Sequence, residues 1–305
     1  VNAGALVVGE ALIDEVVEPN RIRRHPGGSP ANVALGLSRL DVVTRLHTTI
    51  GDDPDGDLIR AYLGGSGVEL TPQSVTAAPT SRAVATLAED GSASYEFSLT
   101  WDPRNLDDLG APRAIHTGSL GAFLDPGSDL TRDIIRRGRA AGALITFDPN
   151  VRPSLVPDAE RSRTLFEALA LSSHLTKLSD EDAEFLFPGR SLDYVLDLLI
   201  DGGVAVAGIT RGSKGALLAS GDGRVAIPPV TTVVADTVGA GDSFMAALIR
   251  ALIFEGGGWD GLSVQPDRLQ EVGAKAARAA AITVSRPGAD LPVLSELTAA
   301  AAPAG

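Results

Sequence analysis

The run Asp236-Thr-Val-Gly239-Ala-Gly241-Asp242-Ser-Phe244 holds the residues whose types and spacing point most directly to chemistry. It lies between a β-type stretch at residues 231–234 and an apolar helical pattern carried by Phe244, Leu248, Ala251 and Leu252. A Gly-Ala-Gly turn entering a helix aims several backbone N–H groups one way, and the helix dipole adds partial positive charge there. Such a turn is an anion site, and phosphate is its commonest occupant. Asp242 follows in the first helical turn, so a carboxylate stands beside the place where the anion would rest. Donors for developing negative charge next to a general base suit transfer of a phosphoryl group to a hydroxyl. Asp and Ser at a helix start also serve as plain N-caps, so a lone Gly-x-Gly-Asp would decide nothing. The nine-residue string is far more specific.

Other clusters sit where strands should end. Gly9-Glu-Ala-Leu-Ile-Asp14 follows an apolar strand and puts Asp14 near its C-terminal end, where open α/β sheets bind ligands. A carboxylate there can accept two sugar hydroxyls. Gly27-Gly28-Ser-Pro-Ala-Asn32 offers close backbone approach and a side chain that both donates and accepts, or simply a turn with an internal cap. Asp148-Pro-Asn150-Val-Arg152 groups two hydrogen-bonding side chains with a guanidinium, which suits polyol and phosphate recognition. Lys177-Leu-Ser179-Asp-Glu-Asp182 starts an acidic helix whose carboxylates either partner the helix dipole or orient a hydrated Mg²⁺. Thr210-Arg-Gly212-Ser-Lys-Gly215 would let a flat nucleotide lie against backbone, or would form a tight turn. No GxxxxGK[ST] run exists, which argues against a P-loop, and no GxGxxG follows the first strand, which argues against a dinucleotide site. The histidines (His25, His47, His116, His174) lack metal-ligand spacing and read as structural or surface residues.

These clusters need a scaffold, and the pattern alternates strand with helix. Strands are expected at Ala5–Val8 and at residues 42–50, 114–116, 144–147, 175–178 and 204–209. Helices are expected from Ser29, which reads as an N-cap ahead of Pro30, and at residues 55–63, 130–141, 161–171 and 192–200. This is the grammar of a doubly wound parallel sheet. Residues 82–88 and 92–99 break it with a hairpin around Asp90-Gly91, and residues 13–22 could pair with that hairpin. A second hairpin, around Gly221-Asp-Gly223, should edge the main sheet, residues 256–258 should form a loop, and the Ala-rich tail after Leu297 should fray.

With 305 residues, 44% hydrophobic and 21% charged, the chain can bury a substantial core as one large α/β domain or two smaller ones. The absence of cysteine rules out disulfides and thiolate chemistry. A net charge of −13 argues against nucleic-acid and anionic-membrane partners, which need a basic face. No apolar run reaches membrane-spanning length, and the start lacks a signal peptide's basic segment, so a cytoplasmic location is expected.

In order and spacing the motifs resemble the PfkB (ribokinase-like) family of carbohydrate kinases, from about Ala5 to Pro292, and GEALID, GGSPANVALGLSRL, DPNVRPSL and KLSDED look most like its fructokinase branch. The resemblance implies one α/β domain over residues 1–305: a doubly wound, mostly parallel sheet with helices on both faces. A small antiparallel β lid would come from residues 13–25 and 80–100. It implies transfer of the γ-phosphate of ATP, with Mg²⁺, to a primary hydroxyl of a sugar, fructose first. 2-Keto-3-deoxygluconate, ribose or a nucleoside would be the alternatives, a homodimer could pair through the lid, and a non-catalytic binder or a dehydrogenase fits less well. By position, Asp242 would be the catalytic base, and the amides of Gly239, Ala240 and Gly241 the anion hole. Asp14, Gly27, Gly28, Asn32, Asn150 and Arg152 would face the sugar; Lys177, Ser179, Thr210, Gly212 and Gly215 the nucleotide. Asp182 would reach Mg²⁺ through water, and carbonyls or side chains of Asp236, Val238, Thr283, Arg286 and Gly288 would surround a monovalent cation such as K⁺. Ser179 and Asp182 replace the family's common Asn-x-x-Glu, Pro292 stands where some relatives supply a hydroxyl, and Trp101, just past the lid hairpin, is matched to no family position and is a candidate for shaping sugar choice.

Overall fold

The chain opens with β1 (Ala5–Val8), the hairpin of β2 (Leu12–Glu18) and β3 (Arg21–Gly27), helix α1 (Ser29–Arg39) and β4 (Thr44–His47). Short pieces follow: β5 (Ile50–Gly51), α2 (Pro54–Gly64), β6 (Glu69–Leu70) and β7 (Val75–Thr76), then the hairpin of β8 (Arg82–Leu87) and β9 (Ala93–Ser98). Next come β10 (Ala114–Gly118), α3 (Leu120–Phe123), α4 (Gly127–Ala140), β11 (Leu144–Asp148), α5 (Ala159–Ala170) and β12 (Leu175–Ser179). They are followed by α6 (Asp180–Leu186), α7 (Leu192–Asp201), β13 (Val206–Thr210), β14 (Ala216–Ser220) and β15 (Gly223–Ile227). Three helices close the chain: α8 (Ala240–Ile249), continued by a wider π-type turn at Arg250–Phe254, then α9 (Pro266–Val284) and α10 (Leu294–Thr298). This computed structural model describes residues 4–18, 21–87, 93–255 and 259–298.

The main sheet runs β15-β14-β13-β12-β11-β10-β1-β4-β6, parallel except for the β14–β15 hairpin at one edge. β1 is buried along its whole length, as four apolar residues covered on both faces must be. One face packs on α1, α8 and α9 through Val7, Leu175, Val206, Leu37, Leu248 and Val272. The other packs on α4, α5 and α7 through Leu6, Ile115, Phe147, Ile134, Phe166 and Leu196. α8 is apolar all round after Asp242 because α1 and α9 flank it, so the helix has no solvent face to make polar. The chain leaves β1 toward β4, then returns to β10 on the other side. The strand order therefore reverses between β1 and β10, where α/β sheets open a ligand crevice.

A smaller sheet runs β3-β2-β8-β9. Its two hairpins are antiparallel, and they join through parallel pairing of β2 with β8, as between Asp14 and Ala83. The expected turn near residues 88–92, the loop at 256–258 and the tail from residue 299 lie outside the described residues.

Three local expectations are corrected. Residues 231–234 form no strand: β15 ends before Pro228-Pro229, and the β-branched run lies exposed along a cavity rim without a ladder partner. Residues 42–50 are not one strand, because β4 stops at His47 and β5 pairs with β7 in a separate two-stranded piece. Ser29 does not cap α1: Gly28 is the cap residue, at φ 98°, and no side chain caps that end.

Candidate active site

α8 begins at Gly239, whose left-handed φ of 77° turns the chain abruptly into the helix. A Cβ there would meet the Ala289 Cβ at 2.8 Å, so both backbone conformation and packing call for glycine. Of the three amides expected to line an anion hole, that of Ala240 makes a long 3.3 Å bond to the Thr237 carbonyl. Asp242 is in the first turn but caps nothing. Its carboxylate is buried and accepts two hydrogen bonds from α1: Ser29 Oγ donates to Oδ1 at 2.6 Å, and Asn32 Nδ2 donates to Oδ2 at 2.8 Å. Two helix N-termini thus meet head to head, and α1 fixes the carboxylate that α8 carries.

Next to this pair lies an acidic, desolvated patch. Gly27 and Gly28 leave room for it: a Cβ at Gly27 would fall 2.0 Å from Asp14 Oδ2, and one at Gly28 would fall 2.7 Å from the Glu10 carbonyl. Burial pushes the Asp14 carboxyl up to about 6, held back by the charges of Arg152 and His25. Burial also raises Glu10 to about 7, although Ser119 and the Gly121 amide, which donates to Oε2 at 3.0 Å, pull the other way. Glu10 and Ser119 sit at the ends of β1 and β10, at the strand-order reversal. Arg152 acts electrostatically on both carboxyls, bringing the loop after β11 to the loop after β1.

On the far side of the α8 turn a cavity of about 740 Å³ opens. Asn150, Arg152, Lys177, Ser179, Thr210, Gly212, Gly215 and Gly241 line its polar part; Val230, Ala277, Ala280, Ala281 and Val284 form an apolar slot. Asn150 sits at φ 35°, and Gly215 at φ 79° has no room for a Cβ, which would meet the Ile227 carbonyl at 2.1 Å. The Thr210 hydroxyl donates to the Leu178 carbonyl at 3.4 Å. Lys177 is buried, with Nζ 2.7 Å from Asp148 Oδ2 and 3.5 Å from the Gly241 carbonyl.

Asp182 is held within the chain by several hydrogen bonds. Ser179 and Asp182 form a reciprocal capping box on α6, and Asp182 Oδ1 accepts from the Val151 amide at 2.7 Å. The carboxylate therefore ties α6 to the loop holding Asn150 and Arg152. No three His, Asp or Glu side chains among the described residues gather into a metal cage. In the expected cation loop, Asp236 accepts from the Val238 amide at 3.0 Å and the Gly288 amide at 2.9 Å, which joins the two loop segments. The Thr283 hydroxyl donates within α9 to Ala279, and the Arg286 guanidinium pairs with Glu296. Trp101 is buried against Gly121 and Gly127, packed beneath the α3–α4 corner.

A phosphate-type turn, a fixed carboxylate and a nucleotide-sized cavity at the strand ends agree with what sequence comparison finds. A model of the pfkB family of carbohydrate kinases matches residues 5–296. The chain belongs to that family. This carbohydrate kinase is 31% identical over 300 residues to "Fructokinase-1" of Oryza sativa subsp. japonica, covering 92% of this chain and 91% of the relative. Its fold matches that of the fructokinase from Xylella fastidiosa solved with bound ATP, with a TM-score of 0.85, 25% identity and 97% of each chain covered. The ribokinase of Thermotoga maritima matches in fold at a TM-score of 0.75 and 20% identity, covering 97% of this chain and 98% of that one. The architecture is ribokinase-like. Among the described residues no helix is long and apolar enough to cross a membrane.

Sequence reading overlooked Ser29 as a partner of Asp242, Glu10 at the crevice, and Asp148 beside Lys177. The first carried a signal of sorts, since a serine ahead of proline at a helix start need not be the cap. The other two look like ordinary strand-end acids until the neighbouring strand is in place.

Proposed function

We propose that this protein is a fructokinase: it transfers the γ-phosphate of ATP to a primary hydroxyl of D-fructose. The arrangement of Asp242 carries the reading. Its carboxylate is held by Ser29 and Asn32 one residue past the glycine turn, between the acidic sugar-side patch and the cavity. In this reading Asp242 takes the proton of the attacking hydroxyl, and the N-terminal turn of α8 receives the charge that builds on the transferring phosphoryl group. Asp14 accepts hydroxyls of the sugar, Gly27 and Gly28 let it approach backbone, and Asn150 and Arg152 close the boundary with the nucleotide. The purine lies in the apolar slot, with Thr210, Gly212 and Gly215 along its edge and Lys177 and Ser179 toward the phosphates. Mg²⁺ carried on the phosphates would offset their charge, with Asp182 meeting it through water. Asp236 bridges the loop segments 236–238 and 283–288, which supports the reading of that region as a K⁺ loop.

The smaller sheet serves as a lid that keeps water from the reacting phosphate. Its edge strands β3 and β9, with Ile22 59% exposed, support a homodimer formed through the lid, read out by light scattering. An enzyme living on ATP and free sugar belongs in the cytoplasm.

An ADP-release assay across fructose, other hexoses, ribose, nucleosides and 2-keto-3-deoxygluconate tests the assignment, and fructose should give the highest kcat/KM. One observation favours the sugar acid as a second reading. Arg152 is exposed and, among the described residues, makes no ion pair, so it could meet a substrate carboxylate. A kcat/KM for 2-keto-3-deoxygluconate above that for fructose would replace the first reading with the second.

A further inference from the structure

Behind the glycine turn lies an ion pair that packing does not explain. Lys177 and Asp148 are 3% and 1% exposed, on neighbouring parallel strands, with Nζ 2.7 Å from Oδ2. No amide or hydroxyl donates to either Asp148 oxygen, so among the described residues the ammonium is the group that answers its charge. Burial pushes the Asp148 carboxyl up to about 7 against the pull of the Lys177 charge, and Asp182 and Asp242 add repulsion. A buried pair with so few supporting hydrogen bonds stabilises a fold poorly; apolar replacements of such pairs are often neutral or better. Its value must lie in where it puts the ammonium. A Cβ at Gly241 would come 3.2 Å from Lys177 Nζ, and the same Lys177 lines the nucleotide cavity. His116, on the same face of the sheet, is buried with its Nδ1 on Thr146 and its pKa pushed down to about 3, so it supplies no counter-charge or competing cation.

We propose that Asp148 is a positioning residue for phosphoryl transfer, holding the Lys177 ammonium aimed from directly behind Gly241 at the transferring phosphate. The inference rests on the kinase reading above. A four-carbon side chain without an anchor takes many rotamers. Asp148 anchors it before the nucleotide arrives, so no reorganisation of the side chain is left for the moment of reaction. When the γ-phosphate enters, the ammonium gains a second anionic neighbour while Asp148 stays buried. Asp148 itself touches neither sugar nor nucleotide in this account.

The test is a double-mutant cycle of Asp148→Asn and Lys177→Met in the full chain, with ATP and whichever sugar the parent phosphorylates best. Asp148→Asn should lower kcat by about 30-fold or more while the sugar KM moves less than about threefold, since the cation acts only on the transferring group. Lys177→Met should do the same, and the double variant should be no slower than Lys177→Met within about threefold. Multiplying losses, or an Asp148→Asn kcat near that of the parent, would overturn the proposal. If Asp148→Asn alone fails to fold, the comparison of the double variant with Lys177→Met still decides: a further loss of more than threefold on adding Asp148→Asn gives Asp148 a role of its own and ends the proposal. A parent with no turnover of any sugar would remove the kinase reading and this inference together, whereas an active parent with multiplying losses removes this inference alone.

Discussion

Replacing Asp242 by asparagine separates a base from a structural acceptor, and the geometry says how much each role is worth. The carboxylate accepts from Ser29 Oγ at 2.6 Å and from Asn32 Nδ2 at 2.8 Å. An amide has one oxygen, so one of the two donors would face an NH₂ group unless Asn32 turns its own amide over. A buried donor left unmet costs about 1–3 kcal/mol, and each kcal/mol lowers Tm by about 2–4 °C in a large domain. Losing the charge in the first turn of α8 adds about 0.3–1 kcal/mol through the helix dipole, and no cap is lost because Asp242 caps no helix end. Loss of a general base costs much more in rate: about 10²–10⁴-fold, or about 3–5 kcal/mol of activation free energy. Asp242→Asn should therefore fold, melt a few degrees lower, bind ATP as the parent does, and turn over sugar at least about a hundredfold more slowly. Calorimetry reads the first three and an ADP-release assay the last. A folded, ATP-binding Asp242→Asn with kcat within about threefold of the parent would refute general-base catalysis by this residue. Ser29→Ala should fall between, losing about tenfold in kcat, since it removes one of two charge-assisted anchors and leaves the base in place.

Gly241→Ala should lower kcat several-fold or more, because its Cβ would sit 3.2 Å from Lys177 Nζ and crowd the amide turn; parental kinetics in the folded variant would place the anion hole elsewhere. Asp14 must be ionised to accept two hydroxyls, and its carboxyl is raised to about 6, so kcat/KM for sugar should fall by about tenfold per pH unit below about 6; Asp14→Asn should abolish that slope. Glu10 is raised from 4.5 to about 7 in the folded state, so between those values the native chain keeps a proton that the unfolded chain releases. Its contribution to stability therefore falls as pH rises through that window, by up to about 3 kcal/mol. Glu10→Gln should flatten the pH dependence of denaturant unfolding and exceed the parent in stability at pH 8; equal slopes for the two would remove burial of this carboxyl as the cause.

Much of the fold was legible because its signals are local. Short apolar runs such as Ala5–Val8 mark strands buried on both faces, and the helices of residues 130–141 and 192–200 showed their stripes within a residue or three of their observed ends. The glycine turn at residues 239–241 was legible as the start of a helix because left-handed backbone is a property of a few consecutive residues. Tertiary structure alone decided what those pieces touch. Ser29 and Asn32 lie 213 and 210 residues from Asp242, and no periodicity could show that two helix N-termini would meet and convert a would-be cap into an anchor for a carboxylate. Residues 231–234 had the side chains of a strand but no neighbour to pair with, since β15 turns away before Pro228-Pro229. Asp148 and Lys177 became a pair only when β11 and β12 lay side by side. Backbone preference and burial pattern are written in neighbouring residues, whereas charge pairing depends on which strand ends the sheet order brings together.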